Sequence, residues 1–152
     1  MPDDIPALRG AYLLVFKSDT TESIAVGRMG LLEMVTGYYL YVGSAFGSGG
    51  LRARVRHHCG VSQRPHWHLD YIRPRLSLHT VWYSTEAHRL EHAWADSMYY
   101  TMQMPIPMPG LGATDCKCNS HFFYSEERPD EARLHKALSG ENNITVEMLK
   151  II

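Results

Sequence analysis

The feature that most constrains the fold is a set of apolar runs rich in aromatic and β-branched residues, with no helical period. The first, GAYLLVFKS, spans Gly10 to Ser18, and the second, GYYLYVGS, spans Gly37 to Ser44. A third, LSLHTVWYS, spans Leu76 to Ser84. Each is predicted to be a strand. Because the segments joining the early strands are short and polar, antiparallel pairing is expected.

Helical segments separate and follow these strands. GLRARVRHH is predicted to be a helix, because Leu51 and Val55 lie four residues apart and can share a buried face. The longest helix is expected to begin at Thr85, a suitable N-cap. A shorter one is expected to end at Gly140. The sequence therefore predicts an α/β (α+β) fold, with a small, mainly antiparallel central sheet of about three core strands flanked by helices.

Chain length and composition indicate one globular domain. The 152 residues include 45% apolar and 20% charged residues, and no linker or repeat divides them. We predict a single domain over residues 1–152, with a core over about 10–124 and a C-terminal helical extension over about 125–152.

Charge and targeting signals restrict the class of protein. The formal net charge is -1, which excludes a histone-like binder, so any attraction to nucleic acid must come from a local patch. The first ten residues, MPDDIPALRG, lack the pattern of a signal peptide, and no apolar run is long enough for a membrane span. We therefore expect a cytoplasmic protein with no membrane partner.

A joint pattern of short motifs identifies a family resemblance. Gly10-Ala11-Tyr12 lies in the first strand and Tyr41-Val42-Gly43 in a later one, followed by a helix with Arg54 and His58 and, much later, by Glu91. This order resembles the GIY-YIG nuclease superfamily, with alanine in place of the isoleucine. The segments YVGSA…GGL..R…H, HWH.DY and DC.C.SH resemble its small stand-alone prokaryotic branch.

The resemblance implies a divalent-metal-dependent nuclease with one Mg²⁺ or Mn²⁺ ion. Glu91 matches the metal-binding glutamate, with Glu86 as the rival choice. Arg54 matches the helix arginine by its distance from His58, with Arg52 and Arg56 as rivals in register. The implied catalytic residues are Tyr12, Tyr41, Arg54, His58 and Glu91.

General chemistry is compatible with these roles. Mg²⁺ keeps most of its waters and is commonly held by one or two carboxylates and the substrate phosphate. A tyrosine can act as a general base if nearby cations lower its pKa, and either Tyr12 or Tyr41 is the candidate. A guanidinium such as that of Arg54 matches phosphate geometry.

Further polar residues around these motifs are candidates for contacts with substrate or for support of the catalytic groups. His66, His68 and Asp70 alternate in HWHLDYIR and can share one face if that segment is extended. The full set of such candidates is Gly43, Ser44, Arg56, His66, His68 and Asp70.

The three cysteines suggest a possible second metal site. Cys116, Cys118 and His121 could bind structural Zn²⁺, with Cys59, His66 or His68 as a fourth ligand. The spacing Cys-x-Cys differs from a zinc knuckle, and alternate strand residues face opposite sides, so a small buried thiol is the competing interpretation.

We expect the substrate to be DNA rather than RNA, cut with low sequence specificity, with a preference for single strands or particular DNA structures and a role in DNA repair. Two alternatives stay open. One is a non-cutting nucleic-acid-binding module that keeps the fold, and the other is a zinc-binding scaffold that uses Cys116, Cys118 and His121. The oligomeric state is open as well.

Overall fold

The computed structural model describes residues 2–86, 89–113 and 118–152. Within these residues, five strands form one antiparallel sheet in the order β6-β4-β1-β5-β7, and β2 and β3 form a separate antiparallel pair. The strands are β1 (Gly10–Ser18), β2 (Glu22–Ala25), β3 (Leu31–Met34), β4 (Gly37–Ala45), β5 (Ser77–Ser84), β6 (Phe122–Ser125) and β7 (Glu147–Lys150). The α-helices are α1 (Gly50–Cys59), α2 (His68–Ile72), α3 (Glu91–Asp96) and α4 (Glu131–Ser139).

The α+β class and the antiparallel sheet are confirmed, but the expected number of strands is wrong. β4, β1 and β5 are the three long strands that the sequence predicts, and the described residues add β6 and β7 at the two edges. Each edge strand has four residues, too few for a clear alternating pattern. The C-terminal extension is not purely helical either, since β7 follows α4 and pairs with β5.

Alternate residues of β1 serve two separate cores, because successive side chains of a strand point to opposite faces. Tyr12, Leu14 and Phe16 pack on the face that α1 covers, where Leu51 and Val55 are fully buried as predicted. The intervening side chains pack with α3 and α4 on the other face. No helix in the described ranges combines the length and apolar character that crossing a bilayer requires.

The helix predicted to begin at Thr85 begins at Glu91 instead. Leu90 occupies the N-cap position with its side chain buried, and the Trp94 amide donates to its carbonyl oxygen at 2.8 Å. Burial of Leu90, rather than a capping hydroxyl, accompanies the helix start. α3 continues as a π-helical turn over Ser97–Thr101. Glu91 consequently lies in the first turn of the helix.

Candidate active site

A polar cleft of about 360 Å³ lies where β1, β4, α1 and α3 meet. Side chains far apart in the sequence line it, and most of the predicted site residues are among them. The lining residues are Tyr12, Tyr41, Gly43, Ser44, Arg54, His66, Trp67, His68, Glu91 and Gly112.

Tyr12 is positioned by the pairing of β1 with β4. It lies opposite Gly43, and a Cβ atom at that glycine would come within 2.4 Å of the Tyr12 hydroxyl. Glycine at this position therefore leaves the space that the phenol ring fills. The Tyr12 hydroxyl lies 3.2 Å from Nε2 of His58, and the Tyr12 and Tyr41 ring centroids are 6.5 Å apart.

The pKa values of the two tyrosines are shifted in the direction opposite to the one expected. Burial raises the pKa of Tyr12 and of Tyr41 well above the ordinary value, and the positive charge of Arg54 opposes this only in part. Burial also lowers the pKa of His58 to about 3, so this imidazole is neutral at neutral pH. A neutral imidazole has one nitrogen that can accept a proton. Nε2 of His58 lies close enough to the Tyr12 hydroxyl to accept the hydroxyl proton.

His58 is buried between Tyr12, which its Nε2 contacts, and Asp70, which its Nδ1 faces. The Asp70 carboxylate accepts the backbone amide protons of His66 at 2.8 Å and Trp67 at 3.0 Å. It also lies 3.0 Å from Nε2 of His57 and 3.9 Å from Nδ1 of His58. Burial raises the pKa of Asp70, but these hydrogen bonds outweigh it and leave the pKa below its usual value. The buried Asp70 thus fixes the backbone of the segment in which His66 and Trp67 line the cleft.

Arg54 is the helix arginine that reaches the cleft. Its Nη1 donates to the carbonyl oxygen of Ser44 at 3.0 Å, and its guanidinium lies 4.4 Å from the centroid of the Trp67 ring. A backbone acceptor and an aromatic face hold one guanidinium orientation, and a guanidinium carries five N–H donors, more than these contacts use.

The two rival arginines lie elsewhere. Arg52 donates from Nε to the carbonyl oxygen of Ile5 at 2.9 Å. Arg56, predicted as a possible substrate contact, is exposed and pairs with Asp3 at 2.5 Å instead of lining the cleft. Residues two positions apart on a helix face different directions, so the three arginines diverge.

Glu91 presents a carboxylate to the cleft. Ser44 Oγ donates to its Oε1 at 2.8 Å, and Nδ1 of His121 lies 2.9 Å from its Oε2. Burial raises the pKa of Glu91, but the hydrogen bonds from His121 and Ser44 outweigh it and place the pKa below its usual value. Each carboxylate oxygen has further lone pairs, so the group fits one inner-sphere position of Mg²⁺ or Mn²⁺. The rival Glu86 is not among the lining residues.

The predicted zinc ligands are brought together only in part. Cys116 lies outside the described residues. Cys118 and His121 lie close to His92, which the sequence analysis did not single out although it directly follows Glu91. Cys59 lies on α1, outside this group, with a partly exposed thiol.

Two further residues of the site were predicted from the sequence, and two others were not. His66 and His68 both line the cleft, and His68 Nδ1 accepts the Gly112 amide at 3.0 Å. Gly112 and His57 were not predicted. His57 is adjacent to His58 and its pairing with Asp70 depends on the tertiary fold, whereas Gly112 has a φ of +74°, which glycine adopts without strain.

Comparison with known families gives one match. A family described as a domain of unknown function, DUF123, matches residues 11–143. The matched range contains every residue that lines the cleft. Neither the curated proteins nor the solved structures gave a match.

Proposed function

The chain belongs to the DUF123 family, and from the side chains that meet in its cleft we propose that it is a divalent-metal-dependent nuclease that hydrolyses phosphodiester bonds in DNA. The observation that carries the proposal is the convergence of Tyr12, Tyr41, Arg54 and Glu91 on one cleft, with His58 beneath Tyr12. We further infer a GIY-YIG type of fold, in which β4, β1 and β5 form the core and the two edge strands are additions.

Tyr12 and His58 would activate the attacking water together. Because burial raises the pKa of Tyr12, a free tyrosinate is scarce at neutral pH. The hydroxyl can instead take a proton from water while it passes its own to Nε2 of His58, 3.2 Å away. At neutral pH the buried His58 is neutral and can hold an acceptor lone pair at Nε2, and the same burial makes it a weak base that keeps the transferred proton only briefly.

Arg54, and Glu91 through the metal ion that it holds, would stabilise the negative charge that develops on the phosphate. The guanidinium, held by the Ser44 carbonyl and the Trp67 ring, can donate to phosphate oxygens as negative charge develops on them. The ionised Glu91 would hold Mg²⁺ or Mn²⁺, which supplies positive charge for the phosphate and for the leaving oxygen. Ser44 and His121 would keep the carboxylate of Glu91 in one orientation.

The cleft and the charge of the chain favour a particular class of substrate. A net charge of -1 gives little general attraction to duplex DNA, so local contacts must supply the affinity. Trp67 lines the cleft with the Arg54 guanidinium over its ring, and an unpaired base can stack on this guanidinium–indole pair. We therefore propose low sequence specificity, a preference for single-stranded or structurally distorted DNA, and a role in repair.

The test is cleavage of labelled oligonucleotides by the purified protein. Single-stranded, duplex, nicked and flapped DNA, and single-stranded RNA, are incubated with Mg²⁺, with Mn²⁺ and with chelator. We expect metal-dependent cutting that Glu91→Gln abolishes while DNA binding stays largely intact. Glu86→Gln is the matched control, because it makes the same change on a carboxylate outside the cleft, and it should cut as the wild type does.

Two results would contradict the proposal. Cutting by Glu91→Gln at the wild-type rate would remove this carboxylate from the reaction. Absence of cutting on every substrate, by a folded protein that binds DNA, would favour the non-cutting nucleic-acid-binding module.

A further inference from the structure

A group of thiol and imidazole side chains lies beside the cleft and shares only His121 with the groups used in the proposed reaction chemistry. Its members are His92 on α3 and Cys118 and His121 in the segment before β6. One ligand atom from each lies within 4.8 Å of those of the other two. His92 Nδ1 lies 3.2 Å from Cys118 Sγ, and the two imidazole centroids are 6.0 Å apart.

These distances are close to those of a tetrahedral metal site. Zinc bonds of about 2.3 Å to sulfur and about 2.0–2.1 Å to nitrogen place neighbouring ligand atoms roughly 3.3–3.6 Å apart. The His92–Cys118 distance of 3.2 Å is already near that value, and the separations that involve His121, which are within 4.8 Å, need to shorten by about 1.5 Å at most. Small rotations of the side chains can provide such a movement.

The chemistry of the group selects a borderline-soft ion. Thiolate and imidazole ligands suit Zn²⁺ and similar transition metals, whereas Mg²⁺ and Ca²⁺ prefer oxygen. His121 is buried, Cys118 is partly exposed and His92 is exposed, so the group is accessible to an ion from the His92 side.

A second cluster with metal-ligand chemistry, formed by His57, His58 and Asp70, is better explained without a metal. Asp70 accepts two backbone amide protons and pairs with His57, and Nε2 of His58 contacts Tyr12. Asp70 and His57 are therefore already engaged in hydrogen bonds within the protein, whereas His58 Nδ1 lies 3.9 Å from Asp70 and has no hydrogen-bond partner among the described residues.

We propose that His92, Cys118 and His121 form a binding site for one Zn²⁺-class ion. His92 is a ligand that the sequence analysis did not name. The ion would join the first turn of α3 to the segment that leads into β6, and it would fix the His121 ring, whose Nδ1 lies 2.9 Å from Glu91 Oε2. A carboxylate that engages the second nitrogen of a ligating histidine is a common support for metal sites. Metal binding here does not depend on nuclease activity.

The test is metal titration of the purified full-length protein after treatment with chelator. Zn²⁺ is measured by elemental analysis after gel filtration, and Co²⁺ is followed by its thiolate charge-transfer absorption. We expect one equivalent of Zn²⁺ and a Co²⁺–thiolate band. Cys118→Ser should abolish the band, and both Cys118→Ser and His92→Ala should weaken Zn²⁺ binding by about tenfold or more.

Cys59→Ser is the matched control, because it removes a thiol that lies outside the group, and it should keep both signals. If Cys118→Ser does not fold, His92→Ala still tests the site because this side chain is exposed. Substoichiometric Zn²⁺ in the wild type, or unchanged Zn²⁺ binding by a folded ligand variant, would overturn the proposal. The effect on His121 is read by NMR, where its ring nitrogens should shift with Zn²⁺ while those of His66 stay unchanged.

Discussion

Replacing Gly43 with alanine tests how packing against β4 holds Tyr12 in the cleft. The new Cβ would come 2.4 Å from both Cζ and the hydroxyl oxygen of Tyr12, a side chain that is 1% exposed. Alanine in a strand is otherwise more favourable than glycine by about 0.5–1 kcal/mol. Overpacking of a full interior costs about 1–3 kcal/mol. The difference of the two terms is the expected result, so Gly43→Ala should lower the free energy of unfolding by about 0.5–2 kcal/mol, or Tm by roughly 1–8 °C.

Urea unfolding followed by circular dichroism measures this change. Gly47→Ala is the matched control, because no atom lies within 4 Å of its added Cβ, and its stability should stay within about 0.5 kcal/mol of the wild type. Displacement of the Tyr12 hydroxyl from His58 should also slow DNA cleavage. A Gly43→Ala protein as stable as Gly47→Ala, or more stable than the wild type, would refute the packing argument.

Three further predictions concern the same cleft. Because the pKa of His58 is about 3 when folded and about 6.5 when unfolded, its contribution to stability is complete above about pH 6.5 and is lost as the pH falls toward 3. Urea unfolding should show His58→Gln losing roughly 1–2 kcal/mol less than the wild type between about pH 7 and about pH 5, and equal losses would contradict this. Arg54→Ala should slow DNA cleavage far more than Arg56→Ala, since Arg54 lines the cleft and Arg56 does not; the reverse order in a cleavage assay would exclude the proposed phosphate contact. Tyr12→Phe should reduce the cleavage rate by at least about 100-fold and more than Tyr41→Phe, because the Tyr12 hydroxyl contacts His58, and near-normal rates for both would remove tyrosine from the mechanism.

Local sequence patterns were sufficient to predict the strands and the helix that supply many of the residues lining the cleft. β1 runs over Gly10–Ser18 as predicted, β4 extends one residue beyond the prediction, and α1 buries Leu51 and Val55. These elements have clear apolar patterns and clear turn signals at their ends. The order of motifs along the chain also indicated which side chains to examine.

Local patterns could not predict contacts between residues that are far apart in the sequence. Choosing Arg54 over its neighbours rested on resemblance, and the structure shows the reason, since the Ser44 carbonyl and the Trp67 ring hold it. The place of His92 beside Cys118 likewise depends on how α3 packs against the segment before β6.

The sequence by itself determined the strand and helix types near the cleft and the chemical identity of its side chains, because both follow from residue type and short-range periodicity. Only the tertiary structure decided where the two edge strands pair, where α3 begins and in which direction the pKa values of the tyrosines and of His58 are shifted. A tyrosine base at either Tyr12 or Tyr41 would need nearby cations to lower its pKa, yet the pKa of both tyrosines is raised. Loss of water around a buried phenol outweighs the charge of Arg54, and burial is a property of the packed chain rather than of any segment.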